Sequence, residues 1–182
     1  MSEKQSPTSP TCSTCGKTKA RLHCGICEVS LCKACATSID TSDEYSGFAL
    51  MEVVPEELLR PTYCHGCFAE KVNPPYQHYL EVLARAQNVI VFEKNQKKET
   101  RLMKRTQKPV HVKSCPDRKE TLMRLAFMAA DAGFNGLLDV DLTSKKIRSE
   151  AYQTTEWSGS GIPAFIEERR VPSDRSIWHN PN

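Results

Sequence analysis

Residues 12–35 read CSTCGKTKARLHCGICEVSLCKAC, and a matching CHGC follows at 64–67. These stretches hold all but one of the chain's 9 cysteines, arranged as four C-x-x-C knuckles. The two-residue gap lets both sulfurs of a tight turn face one ion, and two knuckles supply the four thiolates of a closed zinc site. The spacing therefore predicts two zinc ions with a structural role, because a complete thiolate shell leaves no open position for catalysis.

Other uses of paired cysteines fit the sequence less well. Cys64 and Cys67 alone could form a thioredoxin-like redox pair, but the three other knuckles have no role in that interpretation. The first residues, MSEKQSPTSP, are polar, so no secretory leader is expected, and the apolar run from Leu125 to Ala130 is far too short to span a bilayer. We expect a cytoplasmic protein, because a reducing compartment favours metal ligation over disulfides.

The residues alone leave the pairing of the four knuckles open. The second and third could share one ion, which would require the first and fourth to meet across the whole module. The interleaved alternative suits the short gap between Cys27 and Cys32 better. It assigns Cys12, Cys15, Cys32 and Cys35 to one zinc ion, and Cys24, Cys27, Cys64 and Cys67 to the other.

The run from Arg21 to Cys35 resembles the middle of a FYVE-type zinc finger, through the four residues between Cys27 and Cys32 and the apolar Leu31. This resemblance covers residues 10–72. It implies a cross-braced treble clef with the interleaved pairing, a topology that RING and PHD fingers share. Those fingers usually include a histidine ligand, whereas this chain can supply all its ligands from cysteine.

FYVE domains generally recognise phosphatidylinositol 3-phosphate, but their lipid-binding motifs are incomplete in this chain. Arg21 and His23 match the basic motif before Cys24, while the tryptophan–aspartate motif and the arginine before Cys64 are missing. The candidate head-group or partner contacts are Lys17, Lys19, Arg21 and His23. Residues 1–75 are slightly acidic, and eight thiolates with two zinc ions bring the formal charge to about −6, which opposes binding to an anionic leaflet.

The sequence predicts five regions. They are a disordered N-terminus at 1–9, the finger at 10–72, a linker or docking helix at 73–87, a small α+β domain at 88–168 and a flexible tail at 169–182. Within the finger, 40–60 predicts a short strand and a helical turn after Pro55. The run Asn73-Pro74-Pro75 predicts the end of the finger's last helix.

The second half predicts strands around one main helix. The first two strands are expected at 89–92 and 110–113. The helix is expected to follow Pro116, with Ser114 or Cys115 as its cap and Gly133 as its end. The elements expected after the helix are a strand at 138–142, a turn at 144–146, a strand at 147–157, a glycine-rich turn at 158–161 and a strand at 162–166. This order predicts an α+β domain with the helix on one sheet face.

Part of this half resembles the small YbjQ-like family, which carries a heavy-metal-binding label. The resemblance lies in the helix that ends AADAGFN at Asn135, in the strand after it and in the later SGSGIPA stretch, and it covers residues 88–168. It implies an antiparallel sheet with one packed helix and ring-like self-association, and it conveys no enzymatic activity. The soft ligands of this half lie on different predicted elements: His78, His111, Cys115 and His179.

Three further features have a functional and a simpler interpretation. Cys115 at a helix N-terminus could be a reactive thiolate, but a core or capping role fits better because no partner base is visible. The strongly basic segment 93–108 would suit an anionic partner, although a solvated loop explains it as well. Asp139 and Asp141 share a strand face, and pairing with the lysines at 145–146 would account for them.

No catalytic motif stands out, so we expect a non-enzymatic protein. The net charge of +3 is too small to indicate nucleic-acid binding. The expected function is an adaptor whose finger presents a surface to a protein partner. Two alternatives remain: phosphoinositide-directed membrane targeting by the finger, and a RING-like role in ubiquitin transfer, for which Ile26 near Cys24 is the main support.

Overall fold

The computed structural model describes residues 10–40, 42, 44–45, 47–96, 100–149 and 152–167. The chain divides into two compact units, Met1–Tyr79 and Leu80–Asn182. Helices and small sheets occur together, which confirms the mixed α+β class. The division falls inside the expected linker helix, whereas the expected disordered N-terminus and the flexible tail lie outside the described residues.

Short backbone pairings build the sheet structure of the first unit. Strand β1 (Leu22–His23) pairs antiparallel with β2 (Ser30–Leu31), and an isolated bridge joins Thr11 to Thr18. These pairings are too short to enclose a core of their own. They instead fix the loops between them, and each of those loops contains a cysteine knuckle.

The segment 40–60 contains the expected helical turn, a 3-10 helix at Glu56–Leu59. The expected strand was wrong, because the described residues of this segment form turns and bends. Phe48 takes a left-handed φ of +66°, which interrupts an extended run. Its ring is buried and packs against Tyr79 at a centroid distance of 5.3 Å, so this aromatic pair supplies part of the unit's core.

A continuous helical stretch starts as α1 (His65–Cys67), passes through a π-helical turn (Phe68–Val72) and continues as α2 (Asn73–Ala86). Helix α2 matches the predicted docking helix, but the stop predicted at Asn73-Pro74-Pro75 was wrong. Prolines break helices because they lack an N–H and clash with the carbonyl four residues earlier. Here they follow a wider π turn, in which the Asn73 N–H bonds the Phe68 carbonyl five residues back, and this turn accommodates them.

The described residues of the second unit include a four-stranded sheet and a helix packed on it. Its elements in chain order are β3 (Ile90–Glu93), β4 (Val110–Cys115), α3 (Arg118–Asp131), β5 (Gly136–Ser149) and β6 (Tyr152–Ala164). The strand order is β3-β5-β6-β4. The expected all-antiparallel sheet was wrong, because β3 and β5 are parallel. The long connection through β4 and α3 gives the crossover that a parallel pair requires.

Helix α3 packs against β4, β5 and β6. Its N-cap is Asp117, whose carboxylate accepts a hydrogen bond from the Glu120 N–H at 2.7 Å. The expected caps, Ser114 and Cys115, were wrong because both residues belong to β4, and a carboxylate suits the positive end of the helix better. Gly133 follows the end of the helix as predicted, with a φ of +82° that favours glycine.

Strands β5 and β6 pair antiparallel along most of their length, whereas the sequence predicts three shorter strands in this region. The turns expected at 144–146 and 158–161 were wrong, since both segments lie within paired strands. Gly159 pairs with Leu142, and a Cβ at 159 would lie 2.6 Å from a Leu142 methyl group and 2.9 Å from a Thr121 methyl group on α3. The glycine therefore allows α3 to approach the sheet and does not mark a turn.

Candidate metal centres

The cysteines of the first unit lie in two groups of four. The groups are Cys12, Cys15, Cys32 and Cys35, and Cys24, Cys27, Cys64 and Cys67. Within each group all four Sγ atoms lie within 4.8 Å of one another, and none of these cysteines forms a disulfide. The arrangement is that of the interleaved pairing, in which the first and third knuckles meet, as do the second and fourth.

The distances between sulfurs suit a shared tetrahedral metal ion. The Sγ atoms of Cys15 and Cys32 are 3.7 Å apart, and those of Cys27 and Cys64 are also 3.7 Å apart. Four Zn–S bonds of about 2.3 Å in a tetrahedron place neighbouring sulfurs about 3.8 Å apart, whereas a disulfide would bring them to about 2.05 Å. Both groups could therefore hold a metal ion, with geometry compatible with zinc.

Each knuckle is closed by the same backbone hydrogen bond. The N–H of the residue after the second cysteine donates to the carbonyl of the first cysteine, at 2.8 to 3.1 Å. The four donors are Gly16, Glu28, Ala36 and Phe68. This turn directs both sulfurs of a knuckle to one side. Gly16 and Glu28 also take left-handed φ values of +69° and +62°, and the first is a position where glycine costs least.

The strand pair β1–β2 links the two groups. Cys24 follows β1 and belongs to the second group, whereas Cys32 follows β2 and belongs to the first. The Ser13 N–H in the first knuckle also donates to the Ser30 carbonyl in β2 at 2.9 Å. The register of β1 with β2 therefore fixes the position of the second knuckle relative to the third. Each of these knuckles supplies two of the four sulfurs of its group.

A second link spans the long gap before the last knuckle. Thr37 and Tyr63 form an antiparallel bridge with reciprocal N–H to carbonyl bonds of 2.9 and 2.8 Å. Thr37 lies two residues after Cys35 of the first group, and Tyr63 directly precedes Cys64 of the second. The bridge thus brings distant segments into register, and the buried Tyr63 ring anchors it.

The thiols of each group differ in acidity. Hydrogen bonds from the backbone N–H groups of Cys32 and Cys15 lower the pKa of Cys12 to about 6. Burial opposes ionisation of Cys24, but backbone hydrogen bonds, first from Cys27, outweigh it and lower its pKa to about 6. One thiolate therefore forms readily in each group, and its negative charge attracts a cation to which the other sulfurs can bind.

The opposite shift occurs at the last cysteine of each group. Hydrogen bonding with Cys32, followed by that with Cys15, raises the pKa of Cys35 to about 12. Burial, followed by hydrogen bonding with Cys64, raises the pKa of Cys67 to about 12. Four sulfurs this close cannot all ionise without a counter-charge. A bound divalent cation would supply that charge and allow all four cysteines of a group to be thiolates.

The candidate partner contacts of the first unit lie on its surface. Lys17, Lys19, Arg21 and His23 are all exposed, and none forms an ion pair with another described residue. Ile26, which the RING-like alternative requires on the surface, is half-buried. The four basic residues lie within one segment, 17–23, which ends in β1.

The candidate residues of the second unit have structural roles. Cys115 is buried, and burial raises the pKa of its thiol, which contradicts a reactive thiolate and agrees with a core cysteine. Asp141 pairs with Lys94 at 2.8 Å and Asp139 pairs with Arg105 at 2.5 Å, so the expected partners Lys145 and Lys146 were wrong. These pairs join residues far apart in the sequence, and no local pattern reveals them.

Comparisons of the chain with known protein families, with curated proteins and with solved structures gave no match. The resemblances to FYVE-type fingers and to the YbjQ-like family therefore stay predictions. None of the described helices is both long and apolar enough to cross a membrane. Apart from the two cysteine groups, the described residues contain no further cluster of three or more metal-ligating side chains.

Proposed function

We propose that residues 10–72 form a FYVE-like, cross-braced treble clef that binds two structural zinc ions. The observation that carries this proposal is the interleaved grouping of eight free cysteines at sulfur spacings that suit tetrahedral coordination. A short strand pair followed by a helix that carries the last knuckle also agrees with a treble clef. Zinc would then contribute stability that a unit of this size cannot obtain from apolar packing alone.

Cobalt substitution tests the proposal, because tetrahedral cobalt thiolates have intense visible and near-ultraviolet absorption bands. We expect the full chain to bind two equivalents of Co²⁺ with both bands and to release them when Zn²⁺ is added. Cys15→Ser and Cys27→Ser should each weaken the absorption of one site. Cys115→Ser is the matched control and should bind cobalt like the wild type. A single equivalent, or equal losses in all three variants, would contradict two four-cysteine sites.

We further propose that this module is a non-enzymatic adaptor that presents a rigid surface to a protein partner. The supporting observation is that Val53 and Leu59, on the segment before the last knuckle, are 78% and 61% exposed. Large apolar side chains with this exposure favour a contact surface. Partners captured from cell extract should be purified and their affinity measured by calorimetry. Val53→Asp and Leu59→Asp should weaken binding, while Thr143→Asp in the second unit should not.

A second candidate function is recognition of a phosphoinositide head group. The exposed basic set at 17, 19, 21 and 23 favours it, although the rest of the first unit is acidic. Liposome sedimentation with and without phosphatidylinositol 3-phosphate distinguishes the two functions. Retention that requires this lipid and is lost in Arg21→Glu would support the lipid role, whereas equal sedimentation on both liposomes would reject it.

A further inference from the structure

A groove lies beside the end of β6 in the second unit. Its volume is about 360 Å³. Its lining is polar on one part, with Lys104, Thr106 and Glu167, and apolar on the other, with Leu102, Met103, Phe134, Phe165 and Ile166. Leu102 and Phe165 are 82% and 76% exposed, so two of the most exposed large apolar side chains of the described chain border the same groove. Such a patch marks a binding surface, and the volume suits a few side chains of a ligand.

Part of the backbone at the edge of this groove has no hydrogen-bond partner among the described residues. Strand β4 begins at Val110, opposite Gly161, so β6 continues past the first residue of its neighbour. Beyond it, the Asn135 amide accepts from the Ile166 N–H at 2.7 Å and donates to its carbonyl at 2.8 Å. The backbone of Phe165 makes no hydrogen bond within the described residues. An unpaired strand edge beside apolar pockets is the arrangement that receives an added strand.

Charged side chains of the described residues 100–108 lie in and next to the lining of this groove. Lys94 and Arg105 are paired with Asp141 and Asp139. Three other cations of the segment are exposed and have no ion pair among the described residues: Arg101, Lys104 and Lys108. Lys104 lines the groove directly, and Arg101 adjoins Leu102 in sequence. Glu167 also lines the groove, but Lys104, together with Arg101 and Lys108 within two residues of the lining, outnumbers this single carboxylate. A ligand that matches this net positive charge therefore carries negative charge next to its apolar groups.

We propose that this groove binds an extended segment of a partner protein in which apolar side chains alternate with aspartate or glutamate. The segment adds a strand beside the end of β6 and exchanges hydrogen bonds with the Phe165 backbone. Its apolar side chains enter the groove between Leu102 and Phe165, and its carboxylates meet Lys104 and the neighbouring cations. This site is separate from the cysteine groups and does not depend on the function proposed for the first unit.

The probe is a fluorescein-labelled peptide of four valine–glutamate repeats, titrated with the full zinc-loaded chain and followed by fluorescence anisotropy. We expect saturable binding. A peptide with lysine in place of glutamate should bind at least about tenfold more weakly, because its charge has the same sign as that of the groove. A peptide with alternate N-methylated amides should also lose binding, because it cannot donate the hydrogen bonds of an added strand.

Surface variants locate the site. Leu102→Ser and Phe165→Ser should each weaken peptide binding by about tenfold or more, and both residues are exposed enough for the fold to persist. Ile147→Ser is the matched control, since Ile147 is an exposed apolar residue of β5 in the second unit that does not line the groove, and it should leave the affinity unchanged.

The proposal is overturned if the valine–glutamate peptide shows no saturable binding, if the N-methylated peptide binds equally well, or if Ile147→Ser weakens binding as much as Phe165→Ser. Two further results would assign the groove to another occupant. Dissociation of a wild-type dimer by Phe165→Ser, measured by sedimentation velocity, would assign it to a second copy of the chain. Tighter peptide binding by Trp178→Ala would assign it to the chain's own C-terminal residues.

Discussion

The two units of this chain reach a defined fold by different means. The first surrounds two groups of four cysteines, and its buried side chains outside them centre on aromatic residues such as Phe48, Tyr63 and Tyr79. The second packs the apolar side of α3 on a sheet, with Leu125 and Phe92 among its buried residues. Under the function proposed above, regularly spaced ligands replace apolar area in the first unit, since binding at a structural zinc site contributes about 10–16 kcal/mol.

Removal of metal should produce the largest difference in stability between the two units. Treatment of the full chain with a high-affinity chelator is expected to unfold residues 10–72, because the repelling sulfurs lose their counter-charge. The second unit should keep its structure. Hydrogen exchange read by mass spectrometry reports both units in one sample, and unchanged amide protection in 10–72 after verified metal loss would break the comparison.

Truncation of a core side chain in the second unit should destabilise that unit and leave the first unit unchanged. Leu125 on α3 is fully buried, so Leu125→Ala is expected to destabilise the second unit by about 2–5 kcal/mol through lost burial and a residual cavity. Metal content should stay at two ions per chain. Urea unfolding followed by the signal of the second unit measures the change. Leu102→Ala, at an 82% exposed position, is the control and should change stability by less than about 0.5 kcal/mol.

The close approach of α3 to the sheet predicts a cost for one added methyl group. Gly159→Ala would place its Cβ 2.6 Å from Leu142 and 2.9 Å from Thr121, and overpacking of this kind costs about 1–3 kcal/mol. Gly66→Ala is the matched control, because nothing lies within 4 Å of its added Cβ. Equal thermal midpoints for the two variants would show that the helix does not need this glycine.

The smallest expected effect concerns the cap of α3. Asp117→Ala removes the acceptor for the Glu120 N–H and should cost about 1 kcal/mol, within the usual range of about 0.5–2 kcal/mol. Asp117→Asn retains an acceptor and should recover most of that loss. Chemical denaturation of both variants measures the difference. A loss as large for asparagine as for alanine would mean that the charge, and not the cap, stabilises the helix.

Elements that are fixed by interactions between nearby residues can be predicted from the sequence, and those fixed by distant contacts cannot. Local sequence patterns predicted the cysteine knuckles, helix α3 and its end at Gly133, because each of these depends on residues that are close in the sequence. The path through Pro74 and Pro75 depends on a π turn that no local propensity encodes. Gly159 was predicted to lie in a turn because glycine is common in turns. Its actual role, to make room for α3 on the sheet, depends on a tertiary contact that the local sequence does not show. Ion pairs such as Lys94 with Asp141 depend on the register of the strands, which no local sequence pattern predicts.

Native mass spectrometry of the full chain, purified without chelator, tests the central claim most directly. The account predicts a mass increase that corresponds to two zinc ions, with the eight clustered thiols protected from alkylation until the metal is removed. A folded chain that carries no metal, one ion or disulfides among these cysteines would contradict it.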